Sequence, residues 1–224
     1  MNNLDQVVAR PAGSVLATNK VIRNTYILLS MTLLFSAILA TAAVVTNAQI
    51  VNPWLTLGGY FVLLLITNAT RNSPWGIVSV FALTGFLGYT IGPIINLYMT
   101  TFSNGGELVA YALGATGVIF LGLSGYALTT RKDFSFMGGF LMAGILVAFI
   151  AGIAAFVFAW PGVQLAVSSM FVLLMAGLIL YETSNIIHGG ETNYIMATVT
   201  LYVALYNLFL SLLQLLAAFS GNNR

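Results

Sequence analysis

The sequence predicts an all-α, polytopic membrane protein of about seven transmembrane helices, and three observations carry that prediction. Seven apolar stretches follow one another at 25–47, 53–68, 76–99, 108–129, 136–160, 163–187 and 194–219. Most have the ~17–25 residues that a helix needs to cross the hydrocarbon core of a bilayer. Composition agrees: 59% of the 224 residues are hydrophobic and 5% charged, too few charges to solvate the surface of a soluble domain. The third observation is where the basic residues fall. Arg10, Lys20 and Arg23 precede the first stretch, Arg71 lies between the second and third, and Arg131 and Lys132 between the fourth and fifth. The connections after the first, third and fifth stretches carry neither Lys nor Arg. Under the positive-inside rule this alternation puts the N-terminus in the cytoplasm, with Arg224 beyond the last stretch as the single exception.

The first stretch has an Ala-rich end around Ala40–Ala43 that resembles a signal-peptide cleavage site. Its apolar length exceeds the ~7–15 residues of a secretory h-region, so it reads as a retained helix. Residues 1–24 ahead of it, with Pro11, Gly13 and scattered polar side chains, are expected to form a disordered cytoplasmic tail. Residues 25–219 then form one seven-helix domain, and 220–224 a short C-terminal tail. A β-barrel is excluded because the stretches do not alternate apolar and polar residues. The net charge of +2 is dispersed, which leaves no footprint for nucleic acid, and the absence of cysteine excludes disulfide and thiolate chemistry.

In the third stretch Gly88 and Gly92 share a helix face, as do Ala148 and Gly152 in the fifth, so each pair offers another backbone a close approach. Pro93 removes a helical hydrogen bond, which predicts a kink or break mid-membrane. With Asn96, it makes 92–96 a candidate for irregular, cavity-lining backbone. Glu182 is the one acid well inside an apolar stretch, and such residues mark a pathway or a packing lock. The seventh helix supplies Tyr202, Asn207 and Gln214. If the sixth and seventh helices turn back near Asn193, Ala204 matches Glu182 in depth and Asn207 lies one turn deeper, within reach of a direct or water-mediated contact. His188 and Glu191 form a second candidate pair that could titrate near neutral pH. The alternative reading of His188-Gly189-Gly190 is a helix end, capped by glycine and complemented by histidine. One histidine and no cysteine argue against a transition-metal site.

Gly122-Leu-Ser124-Gly125 is similar to the nucleophile motif of rhomboid proteases, but His188, the one histidine, is flanked by glycines, and the Trp-Arg loop motif of those enzymes is missing. The motif is therefore read as helix packing and the chain as a non-enzyme.

Four segments carry a more specific resemblance: Gly85-Phe-Leu-Gly88-Tyr-Thr-Ile-Gly92-Pro93-Ile94, Leu128-Thr-Thr-Arg131-Lys132-Asp133-Phe-Ser-Phe, the block from Glu182 to Tyr194, and Leu201-Tyr-Val-Ala-Leu-Tyr-Asn207-Leu-Phe. Together they resemble the Bax inhibitor-1 family, in its bacterial YccA branch, over residues 19–219. The resemblance implies six helices around a central seventh, location in the bacterial inner membrane, and one of two activities. Some members are pH-sensitive calcium leak channels with a paired carboxylate sensor on the sixth and seventh helices. The YccA branch is associated with restraint of the membrane AAA protease FtsH. Glu182 matches the first acid of the sensor, but the second position is Ala204, and the latching arginine of the second helix has no counterpart in 53–68. Paired carboxylates couple their titrations and a single one cannot. One carboxylate with Asn207 is also far from the six to eight oxygens calcium prefers, so at most weak calcium transit is expected and no cofactor. FtsH modulation therefore ranks first and the leak channel second. The expected partners are the lipid bilayer and FtsH, for which the N-terminal tail would serve as a handle.

Overall fold

A computed structural model describes residues 12–221, with side chains from residue 16 onward. These residues form seven α-helices: α1 (Ala12–Val45), α2 (Pro53–Thr70), α3 (Trp75–Thr101), α4 (Gly105–Thr130), α5 (Gly138–Val157), α6 (Pro161–His188) and α7 (Tyr194–Ser220), with a 3-10 turn at Ser135–Met137 ahead of α5. All seven are long and apolar enough to cross a membrane, and no strand occurs among the described residues.

The first helix corrects one expectation. Residues 12–24, assigned above to a disordered tail, are the opening turns of α1, while the rest of that tail, 1–11, lies outside the described residues, as do 222–224. Beyond Gly13 no residue of that segment breaks a helix, and extending an existing helix costs far less than starting one. At ~1.5 Å per residue the 34 residues of α1 reach ~50 Å, well beyond a ~30 Å hydrocarbon core.

Helix ends follow local chemistry. The Asn52 side chain accepts from the Trp54 N–H with Pro53 in the first turn of α2, and the Asn193 side chain accepts from the Ile195 and Met196 N–H groups at the start of α7. Gly189 closes α6 at φ +79°, a left-handed conformation that glycine adopts without a clashing β-carbon, and Gly190 N–H returns to the Asn185 carbonyl.

α3 packs along α1 and also meets α2, α4 and α7, whereas α5 leans on α6. α6 and α7 form an antiparallel hairpin, and α7 touches α1, α3, α4 and α6. α3 is the most enclosed helix, more so than the α7 that the resemblance puts at the centre. The core between them is apolar: Val80, Leu83, Ile179, Leu201 and Leu208 are fully buried. Burying such side chains stabilises packing here through dense van der Waals contact, because lipid is as apolar as they are.

The break expected at Pro93 is not there. α3 runs continuously from Trp75 to Thr101, so 92–96 is regular helix and not irregular backbone. Proline deletes one donor from a 27-residue helix, and the neighbouring Gly92 lies close against Ala40 and Ala43 of α1, so the helical assignment runs on through Pro93. Asn96 sits near the end of α1, with its amide 3.4 Å from Asn47 Oδ1.

Candidate functional site at the basic end of the bundle

The connections that carry the positive charges converge on one end of the bundle. Asn193, between α6 and α7, donates to the Arg71 carbonyl at 3.1 Å and to Asn72 Oδ1 at 2.8 Å between α2 and α3. Ser184 on α6 donates to the Lys132 carbonyl at 3.1 Å and accepts from the Phe134 N–H at 3.0 Å, pinning the α4–α5 connection. The first turns of α1, near Lys20 and Arg23, meet Arg131 and His188 around a shared cavity. Asn47, Asn96, Asn104 and Ser220 mark the opposite end, where Asn104 donates to Ser220 at 2.8 Å.

Glu182 faces inward near this end and is 4% exposed. A carboxylate so enclosed needs a donor, and its partner is the side chain of Asn185, one turn on. A β-carbon at Gly190 would collide with Asn185 Oδ1, so the glycine after the cap makes room for that amide. Glu191 lies within electrostatic range of Glu182, and its Oε1 accepts from the Asn193 N–H at 2.6 Å. The second acid near Glu182 therefore comes from the loop, not from α7, where Ala204 is fully buried in packing. No direct hydrogen bond joins Asn207 to Glu182: the Asn207 amide donates to the Val203 carbonyl of its own helix at 2.9 Å. Asn185 was missed by sequence reasoning, although its signal was present as a polar residue three positions after a buried acid.

His188 Nδ1 lies 2.8 Å from the Ser184 carbonyl and so carries the proton that bonds it, with Ser184 Oγ at 3.3 Å. Together with Gly189 this is the helix-end arrangement, in which histidine complements the last carbonyls. Asp133 lies within electrostatic range of His188, and hydrogen bonds from Ser135 hold its carboxyl below the usual carboxylate range. Ser124 does not meet His188; its hydroxyl is 3.3 Å from Thr183, which in turn bonds the Tyr26 hydroxyl at 3.2 Å. Among the described residues no cluster of His, Cys, Asp and Glu could hold a metal ion.

Deeper in the bundle, hydroxyl groups tie α7 to its neighbours. The Tyr202 hydroxyl donates to the Thr84 carbonyl at 3.1 Å and accepts from Ser36 Oγ at 2.5 Å, while Ser168 donates to Gln214 Oε1 at 2.6 Å. Gly88 and Gly92, singled out above for packing, lie on the same α1–α3 face: β-carbons there would stand 2.5 Å from the Ser36 carbonyl oxygen and 2.6 Å from that of Ala40. The small-residue reading of these two positions thus has a defined neighbour.

A family model described as "Inhibitor of apoptosis-promoting Bax1" matches residues 18–221. The chain belongs to this family. Within it, the chain is 55% identical over 215 residues to the "Modulator of FtsH protease YccA" of Escherichia coli (strain K12), covering 95% of this chain and 97% of that protein. The same identity and coverage are found with the "Inner membrane protein YccA" of Escherichia coli O6:H1. An uncharacterised Pseudomonas aeruginosa protein is 49% identical over 203 residues, 91% of each chain. Membership in the Bax inhibitor-1 family agrees with the four sequence segments named above, all of which fall inside the matched range.

Proposed function

We propose that this chain is an inner-membrane protein, N-terminus in the cytoplasm, that restrains an FtsH-type membrane protease. The observation that carries this reading is the 55% identity, over 95% of the chain, to a relative named as a modulator of that protease. The gathering of Arg71, Arg131 and Lys132 at one end of the bundle, beside the first turns of α1, supports the orientation. Relatives of this chain are named as modulators or membrane proteins, and the engaged Ser124 and His188 support a role without catalysis. A cation leak through the bundle is the competing activity within the family. Ala204, where that activity has its second carboxylate, supports restraint instead.

The deciding experiment measures the half-life of a membrane substrate of FtsH in cells that express or lack this chain. Expression lengthens the half-life; an unchanged half-life with the chain present in the membrane refutes the reading. Liposomes containing the pure chain are expected to show no calcium or proton flux above background, and flux lost in Glu182→Gln would establish the leak instead. Orientation is checked by an impermeant thiol reagent, which should reach a cysteine at Ser103 from outside but not one at Ser135. Deleting residues 1–11 should slow turnover of the chain itself in cells containing FtsH, since the protease loses the segment ahead of α1 that it would grip.

A further inference from the structure

α1 and α4 both pack on α6, and at the basic end they stand apart around a cavity of about 230 Å³. Thr18, Asn19 and Ile22 line it from α1, Leu128 and Arg131 from the end of α4, and His188 from the end of α6. One turn below Ile22 the gap closes, because the Tyr26 ring lies 6.0 Å from Phe120 and its hydroxyl bonds Thr183. The cavity is therefore a recess at the end of the bundle.

Its lining divides into two chemistries. Arg131, Asn19 and Thr18 supply charge and hydrogen-bond donors, His188 an acceptor nitrogen, and Ile22 and Leu128 an apolar wall. None of the lining residues is acidic. The nearby acids are engaged elsewhere: Asp133 accepts from the Ser135 N–H at 2.8 Å and Glu191 from the Asn193 N–H at 2.6 Å. Two helices end here, and free C-terminal carbonyls would repel an anion. Part of that carbonyl set is occupied: the Arg131 N–H bonds the Ala127 carbonyl, His188 Nδ1 that of Ser184, Gly189 N–H that of Ile186 and Gly190 N–H that of Asn185, and the Arg131 guanidinium offsets the remainder. With the proton on Nδ1, His188 Nε2 remains as an acceptor for a ligand hydroxyl.

Arg131 is the informative residue. It caps α4 at φ 51°, a left-handed conformation that glycine or asparagine usually fills. Among the described residues its guanidinium has no hydrogen bond or ion pair. The cap thus holds an exposed, unpaired guanidinium at the rim of the cavity, where its charge is open to a ligand. The recess also sits where the candidate spans of α4 and α6 end, about one turn beyond the exposed Ile27 and Tyr126 of α1 and α4. It is smaller than the ~300–1,000 Å³ of a site that encloses a whole drug-sized ligand, so a head inside with tails outside fits it better than an entire metabolite.

The geometry points to the phosphate headgroup of an anionic glycerophospholipid as the occupant of this recess. Arg131 holds the phosphate oxygens, Asn19 and Thr18 meet the glycerol oxygens, His188 Nε2 accepts from a headgroup hydroxyl, and the acyl chains run down past Ile27 and Tyr126. The test titrates the purified full chain in neutral detergent with phosphatidylglycerol, phosphatidylcholine or inorganic phosphate, reading the melting temperature and the lipid retained in native mass spectra. Phosphatidylglycerol should raise the melting temperature and remain bound, with little response to the other two. Arg131→Asn keeps a residue suited to the left-handed cap, so it should melt without lipid at or above the wild-type temperature yet bind phosphatidylglycerol about tenfold more weakly. Asn19→Asp, at an exposed position, should weaken binding similarly by adding a negative charge and serves if the first variant fails to fold. Equal responses to phosphatidylcholine and phosphatidylglycerol, or undiminished binding in a folded variant, would overturn the proposal. Saturation by inorganic phosphate to the same temperature would also overturn it, assigning the recess to a soluble anion.

Discussion

The α1–α3 seam and the α5–α6 seam both rest on small residues four apart, but a methyl group added to each would meet different things. At Gly88 a β-carbon would stand 2.5 Å from the Ser36 carbonyl oxygen and 2.7 Å from its Cα; at Gly92 it would stand 2.6 Å from the Ala40 carbonyl oxygen. Backbone cannot swing aside, so these glycines set the distance between two helices. At Gly152 in α5 the nearest atom would be Val167 Cγ1 at 3.5 Å, an ordinary van der Waals contact. The closest approach in that seam is instead at Gly144, where the neighbour is the tip of Leu174, Cδ2 at 2.6 Å, which can rotate. The tight seam is also hydrogen-bonded, because the Ser36 that seats Gly88 donates to Tyr202, and Tyr202 donates to Thr84 on α3. The α1–α3 seam is thus a lock shared with α7, and the α5–α6 seam a packed but forgiving contact.

Substitutions can break this contrast, and the largest effect is expected at Gly88. Gly88→Ala forces α1 away from α3 and moves Ser36, and should cost roughly 2–3 kcal/mol in a reversible unfolding titration in mixed micelles. A loss no larger than that of an α5 glycine would erase the distinction. Tyr202→Phe keeps the ring and removes both bonds; about 1–2 kcal/mol is expected in the same titration. Combined with Gly88→Ala it should cost less than the sum of the two, because both act through Ser36. Strict additivity would show that the hydroxyl cluster and the glycine seat are independent. Gly144→Ala should cost under about 1 kcal/mol, since Leu174 has rotamers to spare. Gly152→Ala should lie within roughly 0.5 kcal/mol of the parent, helix propensity offsetting any crowding. A large loss there would show that α5 tolerates no closer approach either.

The basic end shows why some candidate residues were legible and others were not. His188-Gly189-Gly190 reads as a helix end because the demand for a left-handed residue after the last turn is local, and Gly189 at φ +79° meets it. Glu182 stood out because an acid in an apolar helix is costly wherever the helix packs. Its direct partner was not legible: depth matching across a hairpin gave Asn207, but depth leaves rotation about the helix axis undefined, and the Asn207 amide bonds Val203. The residues that do act on Glu182, Asn185 and Glu191, depend on how the chain folds back after Gly190. A break at Pro93 was overread for a related reason. The loss of one backbone donor is local, but whether it breaks the helix depends on what clasps the helix, here α1.

The sequence alone determined the number of spanning helices, their order and the single end that collects Arg71, Arg131 and Lys132, because hydrocarbon length and the sorting of charge at membrane loops act on each segment separately. Family membership was equally written in the segments around Gly85, Arg131, Glu182 and Asn207. Tertiary structure decided which glycines are indispensable, which carboxylate neighbours Glu182, that α1 begins as early as Ala12, and that Arg131 lines a recess with His188 and Asn19. Those outcomes depend on the rotation and separation of whole helices. Both are fixed by many contacts at once between residues far apart in the chain, and no local pattern encodes them.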